Sequence, residues 1–87
     1  MKVEYNLDVL KPHQPSNDML ARALKKINGA KYVCIKIDEI DEKTTSVYIK
    51  IIGSEELSLE NIKEELSNYN CSLHSLDEVV MSDDDWK

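Results

Sequence analysis

The chemically versatile side chains of this 87-residue sequence are few beyond its carboxylates: two histidines, two cysteines and one arginine, against 17 Asp and Glu. Asp8 and His74 stand out because each falls on the same phase of an alternating segment, so neighbouring strands would bring them together. A carboxylate beside an imidazole stabilises the protonated ring and fixes its tautomer, an arrangement used for metal ligation and proton transfer. His13 approaches from the loop after the first segment and Glu78 shares the phase of His74, so Asp8, His13, His74 and Glu78 form the candidate binding site. Their spacing is unlike a zinc-finger pattern, and a hard cation such as calcium needs more oxygens than these positions supply. No cofactor is expected, a divalent cation at this set being the alternative. No activated nucleophile or oxyanion cradle accompanies the pair, which points away from an enzyme. The plainer reading of Asp8 and His74, a hydrogen bond at a subunit contact, outweighs metal or small-ligand binding.

The remaining candidates are weaker. Asp77 and Glu78 are consecutive in a strand and point to opposite faces unless the chain bends, so they do not chelate one ion together. Asp83, Asp84 and Asp85 form an acidic end better suited to solvation than to holding a cation. Cys34 and Cys71 read as two free thiols, since an intracellular address disfavours a structural disulfide. With 11 Lys and Arg against 17 acids the net charge is −6, a field that repels phosphate backbones and anionic lipid. Arg22 is the one side chain with a two-pronged grip on phosphate. Nucleic acid and membrane are therefore not expected as partners. Neither an apolar run long enough to span a bilayer nor a leader-like stretch opens the chain, so a cytoplasmic location is expected.

The elements that must position these residues follow from periodicity. Val3, Tyr5, Leu7 and Val9 alternate with Glu4, Asn6 and Asp8, a strand with one buried face that ends at Lys11-Pro12. Pro12 and Pro15 stiffen an extended loop, and Ser16 then caps a helix over 17–28 with Met19, Leu20, Ala23, Leu24 and Ile27 as its apolar stripe. Asn28-Gly29 stops it. Val33, Ile35 and Ile37 define a second strand, Asp41 to Thr44 a turn, and Val47, Ile49 and Ile51 a third strand broken at Gly53-Ser54. Ser58 caps a second helix carrying Leu59, Ile62, Leu66 and Tyr69 on one face, and Cys71 to Val80 forms a fourth strand.

The order βαββαβ with right-handed crossovers predicts an α+β, ferredoxin-like sandwich: a four-stranded antiparallel sheet of order 4-1-3-2 with two helices on one face. Residues 1–81 make the single domain, and 82–87 form an acidic tail expected to be disordered. The other sheet face stays bare and carries Asn6, Asp8, Leu10, Cys34, Lys36, Asp38, Tyr48, Lys50, Ile52, Ser72, His74 and Leu76 by alternation. Leu10, Tyr48, Ile52 and Leu76 are more apolar surface than a solvated sheet needs. A chain of this length folds to about 5,200 Å² of surface and hides roughly 64% of what it exposes when unfolded, a thin core that self-association would supplement. Other uses of this fold fail on residue type. An RNA-recognition sheet needs aromatics, and there is no Phe; a metal chaperone needs paired thiolates in the first loop; a ferredoxin needs four clustered cysteines; an acylphosphatase-type site needs an arginine in the loop, and Arg22 belongs to the helix.

Leu7-Asp8-Val9-Leu10-Lys11-Pro12 and Leu73-His74-Ser75-Leu76-Asp77-Glu78-Val79-Val80 are specific enough to recognise. They resemble an archaeal family of small proteins numbered 211 among the domains of unknown function, over nearly the whole chain apart from its tail. The resemblance implies a ferredoxin-like subunit in closed rings of six or more copies, and implies no enzymatic activity. Leu73 and Leu76 stand where isoleucine and valine are more usual, and Gln14 where an acid is common, which weakens any cation site in that loop. The expectation is a non-enzymatic, ring-forming binding or regulatory module. Its competitor is a metal- or small-ligand-responsive sensor with its site between subunits, near Asp8, His13 and His74.

Overall fold

A computed structural model describes residues 1–85. Four strands of 11 residues each, β1 (Lys2–Pro12), β2 (Ala30–Ile40), β3 (Thr44–Ser54) and β4 (Ser72–Ser82), alternate with α1 (Asn17–Lys25) and α2 (Leu59–Asn68). The sheet is antiparallel throughout in the order β2-β3-β1-β4, the expected arrangement read from its other edge. The chain is thus a ferredoxin-like α+β fold, and β2 and β4 are its two edges.

Local chemistry sets the helix limits. The Ser16 hydroxyl accepts from the Met19 amide at 3.2 Å and the Ser58 hydroxyl from the Asn61 amide at 3.1 Å, each satisfying an N–H that a first helical turn leaves without a partner. Helix α1 ends at Lys25, three residues short of the expected 28, because the chain tightens into turns: Ile27 donates to Leu24 and Ala30 to Ile27. Gly29 then takes φ +89, and Gly53 lets the Gly29 carbonyl accept from the Ser54 amide at 3.0 Å, so two glycines stitch β2 to β3 where no side chain fits.

Burial is one-sided. Val3, Leu7 and Val9 of β1 and Val47, Ile49 and Ile51 of β3 meet Leu20, Leu24, Ile62 and Leu66 of the helices, all essentially inaccessible. Full burial of each such side chain stabilises the fold by about 1.5–3 kcal/mol. Met19, expected in the stripe of α1, is instead exposed. The strands span about 37 Å each and the helices about 15 Å, so the helical layer is too short to roof the sheet. Ile37 (53% exposed) and Ile40 (62%) on β2, with Leu76, Val79 and Met81 on β4, are left uncovered although their phase is that of the core. This overhang helps account for an accessible surface of 5586 Å², above the roughly 5,200 Å² expected for a compact chain of this mass.

Beyond β4, Asp83 to Asp85 make a turn in which Asp84 lies 2.8 Å from the amino-terminal nitrogen of Met1. That pair raises the ammonium's pKa above its ordinary value, through the hydrogen bond first. The remainder of the expected tail, Trp86 and Lys87, lies outside the described residues.

Candidate functional site

The uncovered face is ordered in rows that cross the sheet from β2 to β4. Cys34, Lys50, Asn6 and Glu78 share one row. Lys36, Tyr48, Asp8 and Ser75 share the next, and Glu39, Ser46, Leu10 and Ser72 the one below. A groove of about 470 Å³ lies over the first two of these rows, lined by Tyr48 and Asn6 with Lys36 and Lys50 toward one side and Asp77 and Glu78 toward the other. The lining of the groove is therefore divided by charge, with lysines on β2 and β3 and carboxylates on β4.

Two one-residue bulges in β4 shape the acidic half. Val9 pairs with Leu73 but Asp8 with Ser75, so His74 is surplus; Leu7 pairs with Leu76 but Asn6 with Glu78, so Asp77 is surplus. The bend that would let Asp77 and Glu78 share a face is thus present, and both line the groove. Leu76, expected on the bare face, pairs with Leu7 and turns to the helix side. The Ser75 hydroxyl donates to Asp77 at 2.6 Å.

The four expected binding residues occupy three places. Asp8 and His74 do approach: Nδ1 of His74 lies 3.7 Å from Oδ2 of Asp8, while the Ser46 hydroxyl donates to Oδ1 at 3.4 Å. At 3.7 Å the two groups are beyond hydrogen-bond distance with room for adjustment, since the His74 side chain is 74% exposed. Glu78 sits further along, where the Asn6 amide donates at 2.8 Å to Glu78 and at 2.8 Å to Glu4; Lys50 stands 3.9 Å from that same Glu4 carboxylate. His13 is elsewhere. Its Nε2 donates to the Glu42 carbonyl at 2.9 Å and its Nδ1 accepts from the Thr45 hydroxyl at 3.3 Å, tying the β1–α1 loop to the β2–β3 turn. Among the described residues no group of three or more His, Cys, Asp or Glu converges to hold a metal.

Charge also acts on Tyr48. The Asp38 carboxylate, then desolvation, then Asp8, push its phenol above the ordinary tyrosine range. Burial pushes the Cys71 thiol up, with the Lys11 charge pulling the other way; both cysteines are free thiols.

Lys11 was not among the expected functional residues. It is 3% exposed, and its ammonium donates to the carbonyls of Pro12 (2.9 Å), His13 (3.4 Å) and Pro15 (2.8 Å). An internal cation thereby gathers the loop that carries His13. The signal was in the alternation: Lys11 continues the buried phase of Val3, Tyr5, Leu7 and Val9.

These features define a split-βαβ domain with one bare sheet face, a charge-divided groove on it and two open edges. The family model of DUF211, described as uncharacterized ArCR, matches residues 4–84. An uncharacterized protein of Methanocaldococcus jannaschii is 36% identical over 74 residues, 85% of this chain and 75% of that protein. The chain belongs to the DUF211 family.

Proposed function

We propose that this chain is the subunit of a closed homo-oligomeric ring of six or more copies, a non-enzymatic binding or regulatory module working in the cytoplasm without nucleic acid, membrane or bound cofactor. The apolar overhang carries this reading. Ile37 and Ile40 line one edge of the sheet, and Leu76, Val79 and Met81 line the opposite one. A subunit with water-averse margins on two opposite and dissimilar sides joins head to tail, and such contacts close into rings when the rotation between copies allows. The negative net charge and free thiols support the location and the lack of a nucleic-acid partner.

A second reading is favoured by the Asp8–His74 contact, which opens at the β4 edge where a neighbour would sit. There the ring would hold a divalent cation or small ligand between subunits and respond to it. Native mass spectrometry with and without chelator tests both. An assembly of six or more chains with no retained mass supports the first reading, and an ion or metabolite at one per subunit, lost to chelator, supports the second. A single-chain mass at micromolar concentration overturns both.

A further inference from the structure

Resting on the ring reading above, we infer that the contact between copies joins the β2 edge of one chain to the β4 edge of the next in the same orientation, with Lys36 of one copy set against Asp77 and Glu78 of its neighbour.

The strand directions permit this. Successive neighbours in the order β2-β3-β1-β4 are antiparallel, so β2 and β4 run in opposite senses. A second copy set alongside without stagger therefore offers its β4 antiparallel to the first copy's β2, and the sheet continues with ordinary geometry. The molecule extends 43 Å along its longest axis and 19 to 20 Å across, so a flank has at most about the 800 Å² per partner of a stable interface. On the helix side of the seam, the rows set Val33 and Ile35 beside the neighbour's Val79 and Leu76, and Ile37 beside its Leu73.

Charge selects the pairing. Lys36 lies in the row of Ser75, beside the level of Asp77 and one row from Glu78, and all three side chains belong to the uncovered face. On the uncovered face Asp38 and the neighbour's His74 both fall between the row of Lys36 and Ser75 and the row of Glu39 and Ser72. Lys36 has no carboxylate within ion-pair distance in its own chain among the described residues. A two-fold β4-to-β4 contact would instead set Asp77 against its own copy, acid upon acid. A two-fold β2-to-β2 contact would stop at dimers and leave the β4 margin bare.

The test uses two full-length variants, Lys36→Glu and the double variant Asp77→Lys with Glu78→Lys, each checked for folding by circular dichroism. Like charges then meet at every seam, and each variant alone is expected to need about tenfold or more protein to assemble. Mixed in equal amounts they should recover assembly, because the carboxylate introduced at position 36 of one meets the ammonium groups introduced at positions 77 and 78 of the other, while the opposite seams keep the original pairing. Native mass spectrometry should find such rings with equal numbers of the two chains and an even total. If the unaltered protein forms rings and neither variant moves the equilibrium, or only Lys36→Glu does, the edge pairing is overturned and the ring reading stands. Assembly of the mixture with random composition also overturns it. An unaltered protein that is a single chain removes both.

Discussion

Replacing Lys11 by Met keeps most of the stem and removes the ammonium, so it isolates what an internal cation does for the β1–α1 loop. Two of its three donations, at 2.9 and 2.8 Å, are short, and the third at 3.4 Å is weak. Charged hydrogen bonds contribute about 1.5–3 kcal/mol each, which gives a gross loss of about 3–6 kcal/mol. Two effects reduce it. The variant no longer desolvates a charge, and water reaches part of the loop because Pro12 and Pro15 are half-buried and His13 exposed. We expect a net loss of about 2 kcal/mol, which in a domain of this size lowers Tm by roughly 8–16 °C. Urea unfolding at fixed protein concentration measures it, since the assembly proposed above would make apparent stability depend on concentration. Lys11→Ala, which also deletes buried methylenes, should be worse by a further ~1–2 kcal/mol. Hydrogen exchange should show the added loosening concentrated in residues 12–16. A Met variant as stable as the parent would refute the account, because it would mean the carbonyls lose nothing when the cation leaves.

Alkaline titration offers an independent check. Cys71 and Tyr48 are both raised, so each contributes stability that is complete below its ordinary pKa of 9.0 or 10.0 and fades as pH climbs through the higher folded value. The urea midpoint should fall above pH 9, and the slope should flatten in a Cys71→Ala, Tyr48→Phe variant; an unchanged slope would show that other groups are responsible. Gly53→Ala would drive a methyl group onto the Gly29 carbonyl oxygen, a backbone atom that has nowhere to move. Its expected loss is at least about 3 kcal/mol, and a soluble variant of parental Tm would contradict the close approach. Asp8→Asn combined with His74→Gln should leave folding intact; if assembly and every cation- or ligand-induced melting shift also stay unchanged, the Asp8–His74 site reading fails.

The elements of the fold were legible because each apolar residue of β1 and β3 alternates cleanly: Val3 to Val9 and Val47 to Ile51 left one assignment of faces. The middle of β4 was not legible. Leu73 and Val79 both turn to the helix side, six positions apart, so uninterrupted alternation fits them. Between them two bulges of one residue each reverse and then restore the phase, which moves Leu76 to the helix side and brings Asp77 round to the groove. Two slips that cancel leave the phase at the two ends of this stretch unchanged. The separation of His13 from Asp8 had a different origin. Extended backbone carries the chain about 3.4 Å per residue, so five residues along β1 and its loop put His13 at the far end of the sheet, where the β2–β3 turn supplies its partners.

The same pair of bulges has a mechanical result for the rim of the molecule. From Leu73 to Glu78 six residues of β4 run beside the four from Val9 to Asn6, leaving about 7 Å of slack chain that a flat ribbon has no room for. Such slack is taken up by coiling, which tips the free N–H and C=O groups of that border out of the plane of the other strands. In the ring proposed above, such a tilt would favour closure, where a straight border would invite endless fibrous growth.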